Sequence, residues 1–152
     1  MNPQAAQNYL RTQVLTASPE QLQMMLYDGA IRFCEQARPA LLSQKWETSY
    51  NMISRAQRII NELICGLKHE IAPELCARLA ALYNYIYRQL IEANTEHSVA
   101  SLDEALKILR FQRQTWAMLM EELGRGKAAN VARNLDIPAP SRQMEASISM
   151  RG

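Results

Sequence analysis

Thr16-Ala17-Ser18-Pro19-Glu20-Gln21-Leu22-Gln23-Met24-Met25-Leu26-Tyr27-Asp28-Gly29-Ala30-Ile31-Arg32-Phe33 is the stretch from which the rest of the chain is read. It opens with a helix start. Ser18 offers its hydroxyl oxygen to the free amides of a first turn, and Pro19 fits the first helical position, where no donor is needed. Gln21 stands three residues after Ser18, as a capping box requires. Glu20 places negative charge at the positive end of the helix. Leu22, Met25, Leu26, Gly29 and Phe33 then fall on one face at helical spacing. Glycine inside a helix costs about 1 kcal/mol relative to alanine. Gly29 on an apolar face therefore marks close approach by another helix or by a ligand.

Three more helices follow the first, which is expected from Pro19 to about Leu42 with Pro39 kinking or ending its last turn. The second runs from Trp46 to Ile64 or Cys65, with Tyr50, Ile53, Ala56, Ile60, Leu63 and Leu67 as its buried stripe and Gly66 as its stop. Pro73 starts the third, whose stripe is Leu75, Leu79, Leu82, Ile86 and Leu90 and whose end is Asn94. Ser101 with Glu104, or Ser98, opens the fourth. Its core positions are Leu102, Ala105, Leu106, Leu109, Trp116, Met120 and Leu123, and Gly124 and Gly126 end it. Helices of ~20 residues are ~30 Å long. Short loops between helices of matched length predict an all-α, antiparallel up-down four-helix bundle over residues 18–123. Residues 1–17 read as an N-terminal docking segment, because Tyr9, Leu10, Val14 and Leu15 are too few to fold alone. Residues 124–152 read as a flexible, disordered basic tail.

Composition agrees with a single globular domain. Of 152 residues, 48% are hydrophobic and 21% charged, and the net charge is +2. That charge is too small to predict nucleic acid or an anionic membrane as partner. It is also uneven: beyond Leu123 five basic residues face two acidic ones, which leaves the body near neutral. No apolar run approaches the ~20 residues of a membrane span. No basic start leads into an apolar run, so the expectation is a cytoplasmic protein. Cys34, Cys65 and Cys76 form no metal-type pair and read as reduced thiols on apolar faces.

Catalytic chemistry is not legible. His69 and His97 lie in expected loops and neither has a Glu three residues before it, as a di-iron bundle would need. Zinc spacing, phosphate loops and nucleophile elbows are missing. The expectation is no enzyme, no cofactor and no metal. Surplus apolar surface is legible instead. Met24 and Ile31 lie off the main stripe of the first helix, Tyr83 and Tyr87 off that of the third, and Ile108, Phe111 and Met118 off that of the fourth. Grooves between helices are where a partner helix docks. Asp28 reads as an internal polar contact.

The opening stretch also resembles the signature of FliS, the flagellin-specific export chaperone family. Ser18, Pro19, Leu22 and Met25 carry the likeness, followed by Leu26, Tyr27, Asp28, Gly29 and Ala30 unbroken. Tyr9 and Val14 upstream fit it, as do Leu82-Tyr83-Asn84-Tyr85, Leu90, Ala93-Asn94 and Trp116 downstream. The resemblance implies binding of the disordered C-terminal segment of flagellin, protection against premature polymerisation, and delivery to a component of the flagellar export gate. On the helices it implicates, the surplus apolar residues Ile31, Tyr83, Tyr87 and Ile108 are the expected flagellin contacts, and the matching Tyr9 joins them, with Tyr9 to Val14 expected to cover the groove rather than touch flagellin or pack as a permanent arm. A monomer or weak homodimer is expected. A helical adaptor for another partner, or a cofactor- or metal-binding bundle, is the alternative class.

Overall fold

The computed structural model describes residues 2–135. They form five helices and no strand: α1 (Pro3–Thr16), α2 (Pro19–Leu42), α3 (Trp46–Cys65), α4 (Pro73–Glu96) and α5 (Val99–Asn134). The chain divides into two compact units, Met1–Trp116 and Ala117–Gly152.

The start of α2 is built as its residues require. The Gln21 amide donates to Ser18 Oγ at 3.1 Å, and the Ser18 amide donates to Gln21 Oε1 at 3.0 Å. Pro39 does not break the helix. It lies so near the end that its missing donor and ring are absorbed by the final turn, and the Ser43 amide closes onto the Pro39 carbonyl at 2.9 Å. α3 stops at Gly66, with a right-handed φ of −79°. α4 runs two residues past Asn94, and His97, not Asn94, takes the left-handed closing position at φ 52°. Ser98 rather than Ser101 caps α5: the Ser101 amide donates to Ser98 Oγ at 3.1 Å, and Ser101 itself is buried.

Within the first unit α2 to α5 form the expected antiparallel bundle. Gly29 of α2 faces Ile59 of α3, and Phe33 lies beside Arg55, so contact partners rise along one helix as they fall along the other. Trp46 at the start of α3 stacks on His97 at the end of α4, ring centroids 3.8 Å apart. On the fourth side Arg38 meets Asp103, Glu35 meets Arg110 and Asp28 meets Arg113, again in antiparallel order between α2 and α5. These pairs are about half exposed, so each contributes at most about 1 kcal/mol. They fix register more than they add stability.

The core is shared by all four helices: Tyr27, Ala30, Cys34, Ala37 and Leu41; Ile53, Ala56, Ile60 and Leu63; Tyr83, Ile86, Leu90 and Ala93; and Leu102, Ala105, Leu106 and Leu109. Three stripes are therefore rotated from the sequence expectation, that of α4 included, where Leu75 is exposed and Cys76, Tyr83 and Ala93 are buried. In α2 the small residues face the bundle axis, while Leu22, Met25 and Phe33 flank it. Tyr50, expected in the α3 stripe, is 61% exposed, and its neighbour Ser49 is buried, its hydroxyl donating to the Trp46 carbonyl at 3.0 Å.

Two expectations at the chain ends change. α1 is a complete helix, its Asn2 side chain accepting from the Gln4 amide, yet none of its residues is buried. α5 does not stop at Gly124 and Gly126 but runs on to Asn134. A glycine in a helix costs only about 1 kcal/mol, which the flanking Glu, Lys, Arg and Ala positions offset. The remainder of the expected tail lies outside the described residues.

Candidate functional site

The signature stretch proves to be structural wiring. Tyr27 and Tyr83 come from helices on opposite sides of the bundle, and their hydroxyls meet at 2.5 Å in the core. Gln23, one turn before Tyr27, donates from Nε2 to both hydroxyls, at 3.2 and 3.3 Å. No buried side-chain polar atom among the described residues is left without a partner. Burial, and then the bond to Tyr27, pushes the Tyr83 phenol far above its ordinary range, so that ring stays neutral. Asp28 makes its internal contact with Arg113. The hydrogen bond to Asp28 raises the Arg113 guanidinium above its usual value. A Cβ placed on Gly29 would lie 3.0 Å from Ile59 Cδ1, so glycine here serves close helix approach. Ala30 is buried and Leu26 half-buried against the core. Trp116 is half-buried, and its indole N–H donates to the Glu20 carbonyl at 3.0 Å, tying α5 to the first turn of α2.

These placements correct two site expectations. Ile31 and Tyr83 do not stand on free surface: both are buried, Tyr83 completely. Their reading as surplus came from placing the stripe by the large residues, when Ala30, Cys34, Ala37 and Ala93 mark its true phase. Tyr87 and Ile108 are half-buried at the edge of the core. Tyr9 is 68% exposed, and Leu10, Val14 and Leu15 beside it are exposed as well. Of the other surplus residues, Phe111 and Met118 are free, at 66% and 61% exposed. The five candidate contacts thus do not form one patch.

The geometry supports no catalytic assignment. Among the described residues no three His, Cys, Asp or Glu side chains gather to hold a metal ion. His69 is exposed in the loop before α4, and His97 is taken up by its stack on Trp46. All three cysteines are free thiols. Burial, with the charge of Glu35 adding, pushes the Cys34 thiol up to about 12, so it remains protonated and unreactive. No described helix is long and apolar enough to cross a membrane. Two aromatic arrangements in the structure were missed in the sequence. One is the Trp46–His97 stack. The other is the ring of Phe33 with Arg32 and Arg55 beside it, which joins residues more than twenty positions apart.

The comparisons with known proteins converge. The sequence model of the family described as "Flagellar protein FliS" matches residues 1–123. The flagellar secretion chaperone FliS of Bacillus subtilis is 33% identical over 120 residues, covering 79% of this chain and 87% of that protein. The flagellar secretion chaperone FliS of Salmonella typhimurium is 32% identical over 115 residues, covering 75% and 85%. Among solved structures, a bacterial flagellar chaperone superposes with a TM-score of 0.65 at 22% identity, over 78% of this chain and 97% of that one, which supports the fold. An all-helical bundle whose first long helix is wired through Tyr27, Asp28 and Gly29, matched by this family along its length, is a member of the FliS family of flagellar secretion chaperones.

Proposed function

We propose that this chain is a cytoplasmic chaperone that binds the disordered C-terminal segment of flagellin, holds it from premature polymerisation, and presents it to the flagellar export gate without catalysis. Family membership carries the reading. The structure supplies the physical support. α1 is a 14-residue amphipathic helix with no buried residue, carrying Tyr9, Leu10, Val14 and Leu15 in the open. An isolated helix of that length is marginal in water, so its apolar face is available to a partner. Phe111 adds an exposed ring on α5, while Tyr87 and Ile108 border the core where a docked helix could cover them. Tyr9, Tyr87 and Ile108 remain the proposed contacts. Ile31 and Tyr83 act from beneath, by holding α2 and α4 in place.

The mechanism is folding coupled to binding. A flagellin segment that is disordered when free becomes helical on the bundle, and the apolar area it buries offsets the cost of ordering it. Recovery of the chain from flagellated cells, with the bound protein identified by mass, tests the partner. Flagellin is expected. Repeated recovery of a different helical protein in its place would point to the adaptor reading.

A further inference from the structure

The two flanks of α2 are wired differently. Toward α5, arginines meet carboxylates: Arg38 with Asp103, Arg110 with Glu35, Arg113 with Asp28. Toward α3, arginines meet an aromatic ring. The Arg32 guanidinium carbon lies 5.6 Å from the centroid of the Phe33 ring, and that of Arg55, from α3, lies 5.7 Å from the same centroid. Neither guanidinium is paired with a carboxylate or hydrogen-bonded to another side chain among the described residues, and both residues are exposed.

A ring face attracts a guanidinium but leaves its edge free, so both planar forks keep their N–H donors available. Two like charges drawn to one ring leave a net positive spot there, which an anion beside them offsets. A carboxylate fits the fork of arginine in a bidentate manner. Apolar surface adjoins the charges. Met52 and Ile59 lie three residues before and four residues after Arg55 on the same face of α3, and both are half-buried against the core.

We propose that Arg32, Phe33 and Arg55 form a receptor for the carboxylate of an acidic peptide segment in a partner protein, with apolar neighbours of that carboxylate settling on Phe33, Met52 and Ile59. The surroundings select a peptide over a polyphosphate. Arg58 extends the positive spot by one turn of α3, Glu62 ends it one turn further along the exposed face, and the whole chain carries only +2, so no basic stripe runs on for a nucleic acid to follow. The inference stands apart from flagellin binding: either can fail while the other holds.

The test uses the full-length protein and arginine Nε–Hε NMR signals, assigned with Arg32→Gln and Arg55→Gln. The probe is the peptide Ac-Leu-Glu-Leu-Glu-NH2, and the control is Ac-Leu-Gln-Leu-Gln-NH2 at equal ionic strength. The expected result is a saturable shift of both arginine signals with the acidic peptide alone, with Arg38 unmoved. Either substitution, with backbone amide signals still native, abolishes the saturable response of the remaining arginine. Four results overturn the proposal: no saturable shift, equal shifts with the glutamine peptide, an equally strong response to inorganic phosphate, or shifts on dilution of the protein alone, which would assign the site to a second copy of the chain.

Discussion

Gly29 offers a quantitative check on how the bundle is packed. A β-carbon there would lie 3.0 Å from Ile59 Cδ1, the far end of a half-buried and movable side chain. For Gly29→Ala two effects oppose each other. Helix propensity gains about 1 kcal/mol. Turning the Ile59 tip away by a few tenths of an ångström, partly off its rotamer, costs about 0.5–1.5 kcal/mol. The expected net change lies within about 0.5 kcal/mol of zero. Gly29→Leu cannot be absorbed in this way, because its branched end reaches into the α2–α3 seam, and overpacking costs about 1–3 kcal/mol. In a domain of this size that corresponds to a fall in melting temperature of roughly 4–12 °C. The decisive arrangement is a double-mutant cycle read by urea denaturation. Ile59→Val removes the offending methyl, so Gly29→Ala on that background should stabilise by about 1 kcal/mol, its full propensity gain. A melting temperature for Gly29→Leu equal to that of the wild type, or a cycle with no coupling between positions 29 and 59, would refute close approach as the reason for this glycine.

Other consequences follow from the same contacts. Tyr83→Phe removes one hydroxyl but leaves Tyr27 bonded to Gln23, so denaturation should show a loss of about 1 kcal/mol and no more than 2. The Arg38 hydrogen bond holds the Asp103 carboxyl below its usual value, so the stability it adds is present above the ordinary carboxylate pKa of about 3.9 and is lost as pH falls through the lower folded value. Melting curves of wild type and Asp103→Asn should therefore differ at neutral pH and converge in acid below about pH 4; a constant difference would exclude the ion pair as its source. Of the three cysteines only Cys65 is exposed, so a thiol reagent should modify Cys65 alone in the native protein and all three in urea, counted by mass. Early labelling of Cys34 would contradict its burial.

Much of the fold was legible because local signals agreed with one another. Ser18, Pro19 and Gln21 name a helix start in chemistry that depends on no distant residue, and Pro73 does the same for α4. The lengths of α2 and α3 follow from periodicity. Phase was harder to read. Apolar residues in α2 occupy a broad arc, in which Phe33 lies beside α3 while Tyr27, the alanines and Cys34 face the core. The side-chain sizes therefore misdirect the reading, and Ile31 and Tyr83 were placed outside the core they help to form. The Tyr27–Tyr83 bond and the Arg32–Phe33–Arg55 cluster join residues from different helices, and no pattern within one helix reveals them. The continuation of α5 through Gly124 and Gly126 escaped for a different reason: two modest propensity costs do not outweigh good helix formers on either side. The partner was legible only through resemblance, since exposed tyrosines and leucines on α1 call for an apolar partner without naming it.

The central claim is that this bundle orders a disordered flagellin segment, and titration calorimetry with the C-terminal peptide of the cognate flagellin tests it most directly. Coupled folding and burial predict exothermic, saturable binding with a negative heat-capacity change across temperature, together with more helical ellipticity in the mixture than in the separate components. A peptide that gives no heat, no heat-capacity change and no gain in helicity when mixed with the folded chain would contradict the claim.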